Sequence, residues 1–443
     1  MDTISAISTP YGIGGIAVVR VSGPEAISIV ERLTCPLQSA KGYTVHHTHL
    51  HRDNEILDEV LVSVFRAPHS FTGEDVVEIA CHGSLYIQQE ILRWLADEGC
   101  RLAHAGEFTQ RAFLNGKMDL TQAEAVADLI AAETKAEKDL ALSQLRGGVS
   151  SELAALREQL LHFTSLIELE LDFADHEELE FADRSELNSL AQRISQTLTA
   201  LVSSFKTGNA IRNGVPVAIA GATNAGKSTL LNALVGEERA IVSDIHGTTR
   251  DTVEDTLVIG GVLFRFIDTA GIRETKDSIE AMGIERSRQA INKAQIVLHV
   301  IDLTNEQDDE LSEVLQGKTV IEIYNKADLD SSQSRIPSCT NCSRISISAK
   351  NGEVEALKQL LVETAKTMFH HNGTIISNAR HYEALTRALD AINHVQQGLQ
   401  DNVSGEFLSM DLQDCLAALG EITGQITSQE VLNNIFSKFC IGK

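Results

Sequence analysis

Gly221-Ala222-Thr223-Asn224-Ala225-Gly226-Lys227-Ser228 stands between the apolar run Val215 to Ala220 and the stretch Thr229-Leu230-Leu231-Asn232-Ala233-Leu234. Together they read as strand, phosphate loop and helix. In that arrangement a Gly-rich turn aims successive backbone N–H groups at phosphate oxygens, Lys227 reaches the β/γ-phosphates, and the Ser228 hydroxyl holds Mg²⁺. The pattern is short enough to arise by chance. The strand before it and the helix after it are what make it a nucleotide site.

Outward from the loop, strand and helix signals alternate from about Gly214 to Gly373. The strands are Val215 to Ala220, Leu257 to Ile259 turning through Gly260-Gly261 into Val262 to Ile267, Ile296 to Ile301, Thr319 to Tyr324, and Arg344 to Ile347. This pattern predicts an α/β sheet with a hairpin at one edge. On either side the chain is helical. Thr121 to about Thr207 is rich in Ala, Leu and Glu, and Ala379 to Gln400 and Asp411 to Ile422 resemble it. The simplest topology is a helical domain interrupted by a nucleotide-binding insertion, which is tolerated where two chain ends lie close together on a surface. Before all of this, residues 1 to about 117 mix strands such as Ile16 to Val21 and Val76 to Ala80 with helices. One helix starts at Pro24-Glu25, and another runs from Leu85 to a stop at Gly99. That is an α+β domain. The expected fold class is therefore multidomain: an α+β N-terminal domain (1–117), a discontinuous α-helical domain (118–213 and 376–443), and an inserted α/β P-loop domain (214–375).

At 443 residues the chain is long enough for two to four domains. Its 43% hydrophobic and 22% charged residues argue against a disordered or fibrous class. With 37 Lys+Arg against 62 Asp+Glu the net charge is −25, the wrong sign for a broad basic face on nucleic acid. Any RNA contact must be local or shared with a partner. Cys35, Cys81, Cys100, Cys339, Cys342, Cys415 and Cys440 lack the spacing of a disulfide scaffold. The start Met1-Asp2-Thr3-Ile4 lacks a basic and apolar leader, and no apolar run is long enough to span a bilayer. A soluble cytoplasmic protein is the expectation.

Three other features attract a bland reading. His46-His47-Thr48-His49-Leu50-His51 reads as a polar strand or turn, since no second ligand cluster stands at a defined spacing. Cys339-x-x-Cys342 is half a zinc pattern without its second pair. The acidic stretch Glu168 to Glu186, interleaved with Leu169, Leu171, Phe173, Leu179 and Phe181, reads as a solvated helix face and loop.

Downstream of the phosphate loop the remaining parts of a nucleotide switch follow at strand ends. Gly247-Thr248-Thr249-Arg250-Asp251 offers a Thr hydroxyl for Mg²⁺ and the γ-phosphate, and Asp268-Thr269-Ala270-Gly271 places a carboxylate near the metal. Asn325-Lys326-Ala327-Asp328 and Ser348-Ala349-Lys350 follow later strands. In this order the set resembles the GTPase superfamily. By that resemblance Asp328 accepts from the guanine N1 and 2-amino groups, and Ser348 to Lys350 closes over the base. A carboxylate left without those donors disfavours adenine. Ras-like GTPases follow this Gly with a water-orienting Gln, whereas this chain has Ile272, which can neither donate nor accept. Arg273, Glu274, Asp277 and Glu280 are the polar groups that follow. Transition-state charge could be met by Arg250 as a finger, or by a monovalent cation held by Asn224 with carbonyl oxygens of the Ser243, Ile245 and Thr248 segment. Residue types leave both open.

The whole chain resembles the MnmE (TrmE) family of tRNA modification GTPases. The resemblance rests on Ser70-Phe71-Thr72-Gly73-Glu74-Asp75, His82-Gly83, Gly106 to Asn115, Asp119-Leu120-Thr121-Gln122-Ala123-Glu124-Ala125, the GTPase motifs, and the terminal Phe439-Cys440-Ile441-Gly442-Lys443. It implies an N-terminal folate-binding and dimerising domain, a helical domain in two segments, and an inserted GTPase domain. It also implies a homodimer, a MnmG-type flavoprotein partner in a heterotetramer, and tRNA as substrate. The nucleotide would meet Asn224, Ala225, Gly226, Lys227, Ser228 and Thr229, then Ser243, Asp244, Ile245, His246, Gly247, Thr248 and Thr249. It would also meet Asp268, Thr269, Ala270 and Gly271, and finally Asn325, Lys326, Ala327 and Asp328 with Ser348, Ala349 and Lys350. Ser228 and Thr249 would hold Mg²⁺, and Asn224, Ser243, Ile245 and Thr248 would hold K⁺ in place of an arginine finger. Glu280 matches the family's catalytic glutamate, with Lys227 and Asp268 beside the phosphates. Arg20, Glu78, Lys117 and Lys443 match the site of a 5-formyl-tetrahydrofolate-type cofactor. A carboxylate such as Glu78 suits the donor–acceptor edge of a pterin, and Arg20 or a Lys suits the anionic tail. Cys440 is a functional thiol or a small packing residue. The chain departs from the family in having Thr223 where Pro is common, a modest loss of backbone restriction.

The activity implied is a K⁺-dependent GTPase that, with its flavoprotein partner, installs an aminomethyl-type group at C5 of the wobble uridine. A regulatory GTPase of ribosome or RNA-particle assembly is one rival, and a folate-dependent one-carbon transferase with regulatory GTP is another. The N-terminal residues and the Cys-Ile-Gly-Lys ending argue against the first, and the complete GTPase motifs against the second.

Overall fold

The strand expected at Ile16 to Val21 is β2 (Gly14–Ser22) of the computed structural model, whose described residues are 2–172, 183–236, 255–267, 280–304, 312–329, 343–369 and 373–442. They gather into two units: 1–130 with 142–192 and 387–443, and 131–141 with 193–386.

The first unit opens on a six-stranded sheet. Its strands are β1 (Ile4–Ile7), β2, β3 (Thr44–Arg52), β4 (Glu55–Phe65), β5 (Val76–Gly83) and β6 (Arg101–Leu102), in spatial order β3-β4-β5-β2-β1-β6. All neighbours are antiparallel except β1 with β6. Alternation explains the layering, because successive side chains leave a strand on opposite faces. Val19 and Val21 of β2, Val62 of β4 and Ile79 of β5 share one buried face with Ile29 of α1 (Ala26–Leu33) and Trp94 and Leu95 of α2 (Leu85–Asp97). Ile4 and Ala6 of β1 pack with Phe108 of α3 (Glu107–Leu114). The register sets Arg20 opposite both Ala6 and Glu78. Arg20 and Glu78 are thus adjacent in space though 58 residues apart in sequence. The His46–His51 run is part of strand β3.

Among the described residues the remaining α-helices are α4 (Leu120–Ala131), α5 (Lys135–Leu145), α6 (Gly148–Asp172), α7 (Arg184–Asn213), α8 (Lys227–Val235), α9 (Glu280–Lys293), α10 (Ser312–Leu315), α11 (Glu355–Met368), α12 (Ala379–Gln400), α13 (Gly405–Thr423) and α14 (Gln429–Phe436). α13 begins earlier than the expected Asp411, at Gly405, because Ser404 in extended conformation starts it. In the first unit α6 and α13 pack along each other, and Gln413 donates to Glu168 at 2.7 Å. Leu432, Phe436 and Phe439 close over Leu120 and Ala123 of α4. The chain end then reaches the N-terminal sheet. Ile441 bridges to Ala105, and the Ser8 hydroxyl donates to the Gly442 carbonyl at 3.2 Å. Gly442 has φ 92°, and a Cβ there would lie 2.1 Å from the Ile7 carbonyl oxygen, so only glycine fits this approach.

The second unit holds the sheet β12-β11-β10-β7-β9-β8, made of β7 (Val215–Gly221), β8 (Asp255–Ile259), β9 (Val262–Phe266), β10 (Ile296–Asp302), β11 (Thr319–Asn325) and β12 (Ser343–Ser346). Every neighbouring pair is parallel except the β8–β9 hairpin at the edge. β7 is buried through Ala220, as expected of a central strand covered on both faces. No helix among the described residues is long and apolar enough to cross a membrane.

Candidate functional site

The carboxyl ends of β7, β10, β11 and β12 come together, which is where ligands of open parallel sheets bind. The phosphate loop runs from Gly221 to α8. Asn224 has φ 66° and Gly226 φ 99°, and these left-handed residues turn the chain back toward the helix N-terminus. The Lys227 ammonium donates to the carbonyls of Gly221 and Ala222, both at 2.8 Å. Burial holds its pKa below the ordinary lysine value. A phosphate would replace those neutral carbonyl acceptors with anionic ones and stabilise the ammonium. Ser228 and Thr229 open α8, with the Ser228 side chain half-buried, and Asn224 is exposed.

Asn325 ties the motifs into one body. It is buried, its Nδ2 donates to the Ala225 carbonyl at 2.9 Å, and its Oδ1 accepts from the Ala349 amide at 3.1 Å. One side chain therefore joins the phosphate loop to the Ser348–Lys350 segment. Around it the Ala327 amide donates to the Ile347 carbonyl, and the Ser348 hydroxyl donates to Asp328 Oδ1 at 2.7 Å. Asp328 and Ser348 are thus in direct contact. Sequence reading passed over Asp302, the last residue of β10. It accepts from Lys326 Nζ at 2.5 Å and from the Thr304 hydroxyl. Burial raises its pKa, but Lys326 and the Thr304 donors outweigh that and hold the carboxyl below its usual range. Its place at the carboxyl end of a central parallel strand was the available signal.

Ser243, Asp244, Ile245, His246, Gly247, Thr248, Thr249, Arg250 and Asp251 lie outside the described residues, as do Asp268, Thr269, Ala270, Gly271, Ile272, Arg273, Glu274, Asp277, Cys339, Cys342 and Lys443. Glu280 is the first residue of α9, and its side chain also lies outside them.

A second cluster forms in the first unit. Arg20 donates from Nε to Glu78 Oε1 at 2.9 Å, and its Nη2 lies 2.8 Å from the same oxygen. Its guanidinium stands 5.4 Å from the Phe71 ring centre and 5.6 Å from that of Phe108. Arg20 and Glu78 therefore face each other rather than turning separately toward a ligand. Among the described residues Glu78 is the hydrogen-bond partner of Arg20, and it engages the guanidinium through Oε1. Lys117 Nζ donates to the Pro68 carbonyl at 2.9 Å, at the start of the loop that carries Phe71. That loop is held from behind. Ser22 bonds Thr72 at 2.7 Å and donates to Glu74 at 2.8 Å, while Arg111, almost fully buried, meets Glu74, Glu107 and Asp2. Phe71, Phe108 and Arg111 have no role legible in the sequence, because only the fold brings the two rings to Arg20 and Arg111 to Asp2, Glu74 and Glu107. Cys440 is exposed, and its carbonyl accepts from the Gly106 amide at 3.4 Å.

Comparison with known proteins covers the whole chain. Residues 120–440 match the family model described as the MnmE helical domain, and residues 3–117 match that of the GTP-binding protein TrmE N-terminus. The chain is 56% identical to a tRNA modification GTPase MnmE of Parabacteroides distasonis, over 100% of both chains. It is 53% identical to the protein of that name from Bacteroides thetaiotaomicron and 50% identical to that from Flavobacterium johnsoniae, in each case over 100% of this chain and 99% of the relative.

Proposed function

The chain belongs to the MnmE family of tRNA modification GTPases, and from that premise we propose that it runs a potassium-dependent GTP hydrolysis cycle, coupled through a flavoprotein to modification of C5 of the tRNA wobble uridine with an aminomethyl-type group. The observation that carries the nucleotide half is the Asn325 joint. By bonding Ala225 and Ala349 together it lets binding of the base at Asp328 and Ser348 preorganise the phosphate loop.

The roles follow from the residues. Lys227 leaves the Gly221 and Ala222 carbonyls for the phosphates, and the nucleotide further contacts Asn224 to Thr229, Ser243 to Thr249, Asp268 to Gly271, Asn325 to Asp328 and Ser348 to Lys350. Ser228 and Thr249 hold Mg²⁺, which suits hydroxyl oxygens. Asn224 holds K⁺ with the carbonyl segment of Ser243, Ile245 and Thr248. Its side chain is exposed at the mouth of the loop and has no hydrogen-bond partner among the described residues. Such a cation would supply positive charge at the transition state, and Glu280 would orient the attacking water. Ile272, which can neither donate nor accept, cannot do that task itself.

In the first unit the Arg20–Glu78 pair reads the pterin edge of a folate as one donor–acceptor unit, against the rings of Phe71 and Phe108. Lys117 and Lys443 take the anionic tail, and Gly442 beside Ile7 brings the chain end to this sheet. The domains are 1–117 for folate and dimerisation, 118–213 with 376–443 for the helical part, and 214–375 for the GTPase. The working form is a cytoplasmic homodimer, joined by a MnmG-type flavoprotein in a heterotetramer. Nucleoside mass spectrometry of tRNA from a strain lacking this chain tests the proposal. Wobble uridines should lose their C5 group in that strain and regain it on complementation, and wobble uridines that keep the group in the deletion strain would refute the proposal.

A further inference from the structure

At the end of the second unit's sheet opposite the nucleotide loop, where β7, β10 and β11 begin, a cavity of about 400 Å³ opens. That volume lies in the range of small-ligand sites. Its walls include Lys206 and Thr207 of α7, Gln295 before β10, Lys318 before β11, and Met368 and Phe369 at the end of α11. No carboxylate is among its lining residues, in a chain of net charge −25. Lys293, next along the chain to the lining residue Ala294, and Lys366, two residues before Met368, stand in the last turns of α9 and α11.

Lysines near helix ends have an ordinary explanation, since they complement the carbonyls of the last turn. Lys318 fits it, donating to the Asn292 carbonyl at 2.9 Å. Lys206 does not. It is exposed and has neither a carbonyl nor a carboxylate partner among the described residues. The wall around it is held in place without using its ammonium. Gln295 Nε2 donates to the Lys206 carbonyl at 3.3 Å, and the Thr207 hydroxyl donates to the Met368 carbonyl at 3.3 Å. The same lining includes the apolar Met368 and the aromatic Phe369, both half-buried.

We propose that this cavity binds one nucleotide unit, its phosphate on Lys206 and Lys318 and its base against Phe369 and Met368. Two lysines lining one cavity suit a shared anion, and an aromatic face accepts a base by stacking. The unit is either a free nucleotide or a residue of the RNA substrate, and the chemistry of recognition is the same for both.

The test uses the full chain with its GTPase site saturated by GDP and Mg²⁺, titrated with uridine 5′-monophosphate by calorimetry. Binding should weaken as KCl rises. It should weaken roughly tenfold in Lys206→Ala and again in Lys318→Ala, the effect of losing one charge-assisted hydrogen bond, and be kept in Lys206→Arg. Far-UV circular dichroism verifies that each variant is folded. Displacement of the monophosphate by tRNA would identify the RNA as the source, and coexistence of the two would identify a free nucleotide; either supports the site. No binding to the wild-type chain at concentrations on the order of 10 mM, or binding that both alanine variants leave unchanged, overturns it.

Discussion

Asn325 holds two segments of the GTPase domain together through one side chain. Removing its amide leaves the Ala225 carbonyl and the Ala349 amide unpaired in a buried setting, at a cost of about 1–3 kcal/mol each before relaxation. Asn325→Ala should therefore lower both the melting temperature and GTP affinity, the latter by at least about tenfold. A thermal melt and a nucleotide titration read the two effects. Gly226 makes a complementary case. A Cβ there would lie 2.2 Å from Asn325 Nδ2, and its φ of 99° is one that L side chains rarely adopt. Gly226→Ala should thus weaken GTP binding about as much as losing Asn325, since strain of roughly 1–3 kcal/mol adds to the displaced amide. Fluorescent-nucleotide binding of both single variants and the double variant checks this, with losses less than additive because the two residues share one contact. The residue types of this joint were legible in Asn325-Lys326-Ala327-Asp328. Which atoms it joins was not, because Ala225 and Ala349 are 100 residues before it and 24 after.

At the scale of elements, α3 and the loop before β5 form one charged assembly behind Arg20. Asp2 is held down to a pKa of about 2, from 3.8, first by its hydrogen bond from Arg101. Burial pushes the Glu107 carboxyl up, but donors from Arg101, His104 and Arg111 outweigh it and leave it below its usual range. Both folded values are depressed, so these carboxylates contribute stability that is complete above the unfolded value of about 4 and is lost as pH falls toward the folded one. The first unit should lose stability between about pH 4 and pH 2, and Asp2→Asn should lose less over that interval. Melting curves across the interval measure it, and the contribution is small because the Asp2 side chain is half-exposed. In the sequence, Gly106 to Asn115 is legible only as a family signature. Its physical content, Arg111 buried among three carboxylates, depends on where β1 and the Phe71 loop meet α3.

For the whole molecule, the strong negative charge confines contact with nucleic acid to local sites or to a partner. The cation reading of Asn224 gives a test at this scale. Exchanging K⁺ for Na⁺ should slow GTP hydrolysis by at least about tenfold while leaving GDP affinity within about twofold, because the cation acts on transition-state charge. Phosphate release in matched salts decides it, and equal rates would remove Asn224 from that role. Glu280→Ala should likewise lower turnover with little change in nucleotide affinity, measured by the same assay.

The fold was largely legible because its signals are local. Apolar runs of strand length, a Gly-rich loop between strand and helix, and a return to Ala- and Leu-rich helix after about Gly373 depend only on neighbours along the chain. The hairpin of β8 and β9 followed from Gly260-Gly261 in the same way. What tertiary structure alone decided are the relations between distant residues: Arg20 on Glu78, Asn325 on Ala225, Gly442 on Ile7, and Lys206 with Lys318 at one cavity. Those depend on strand order and register, which bring together residues that no local spacing connects.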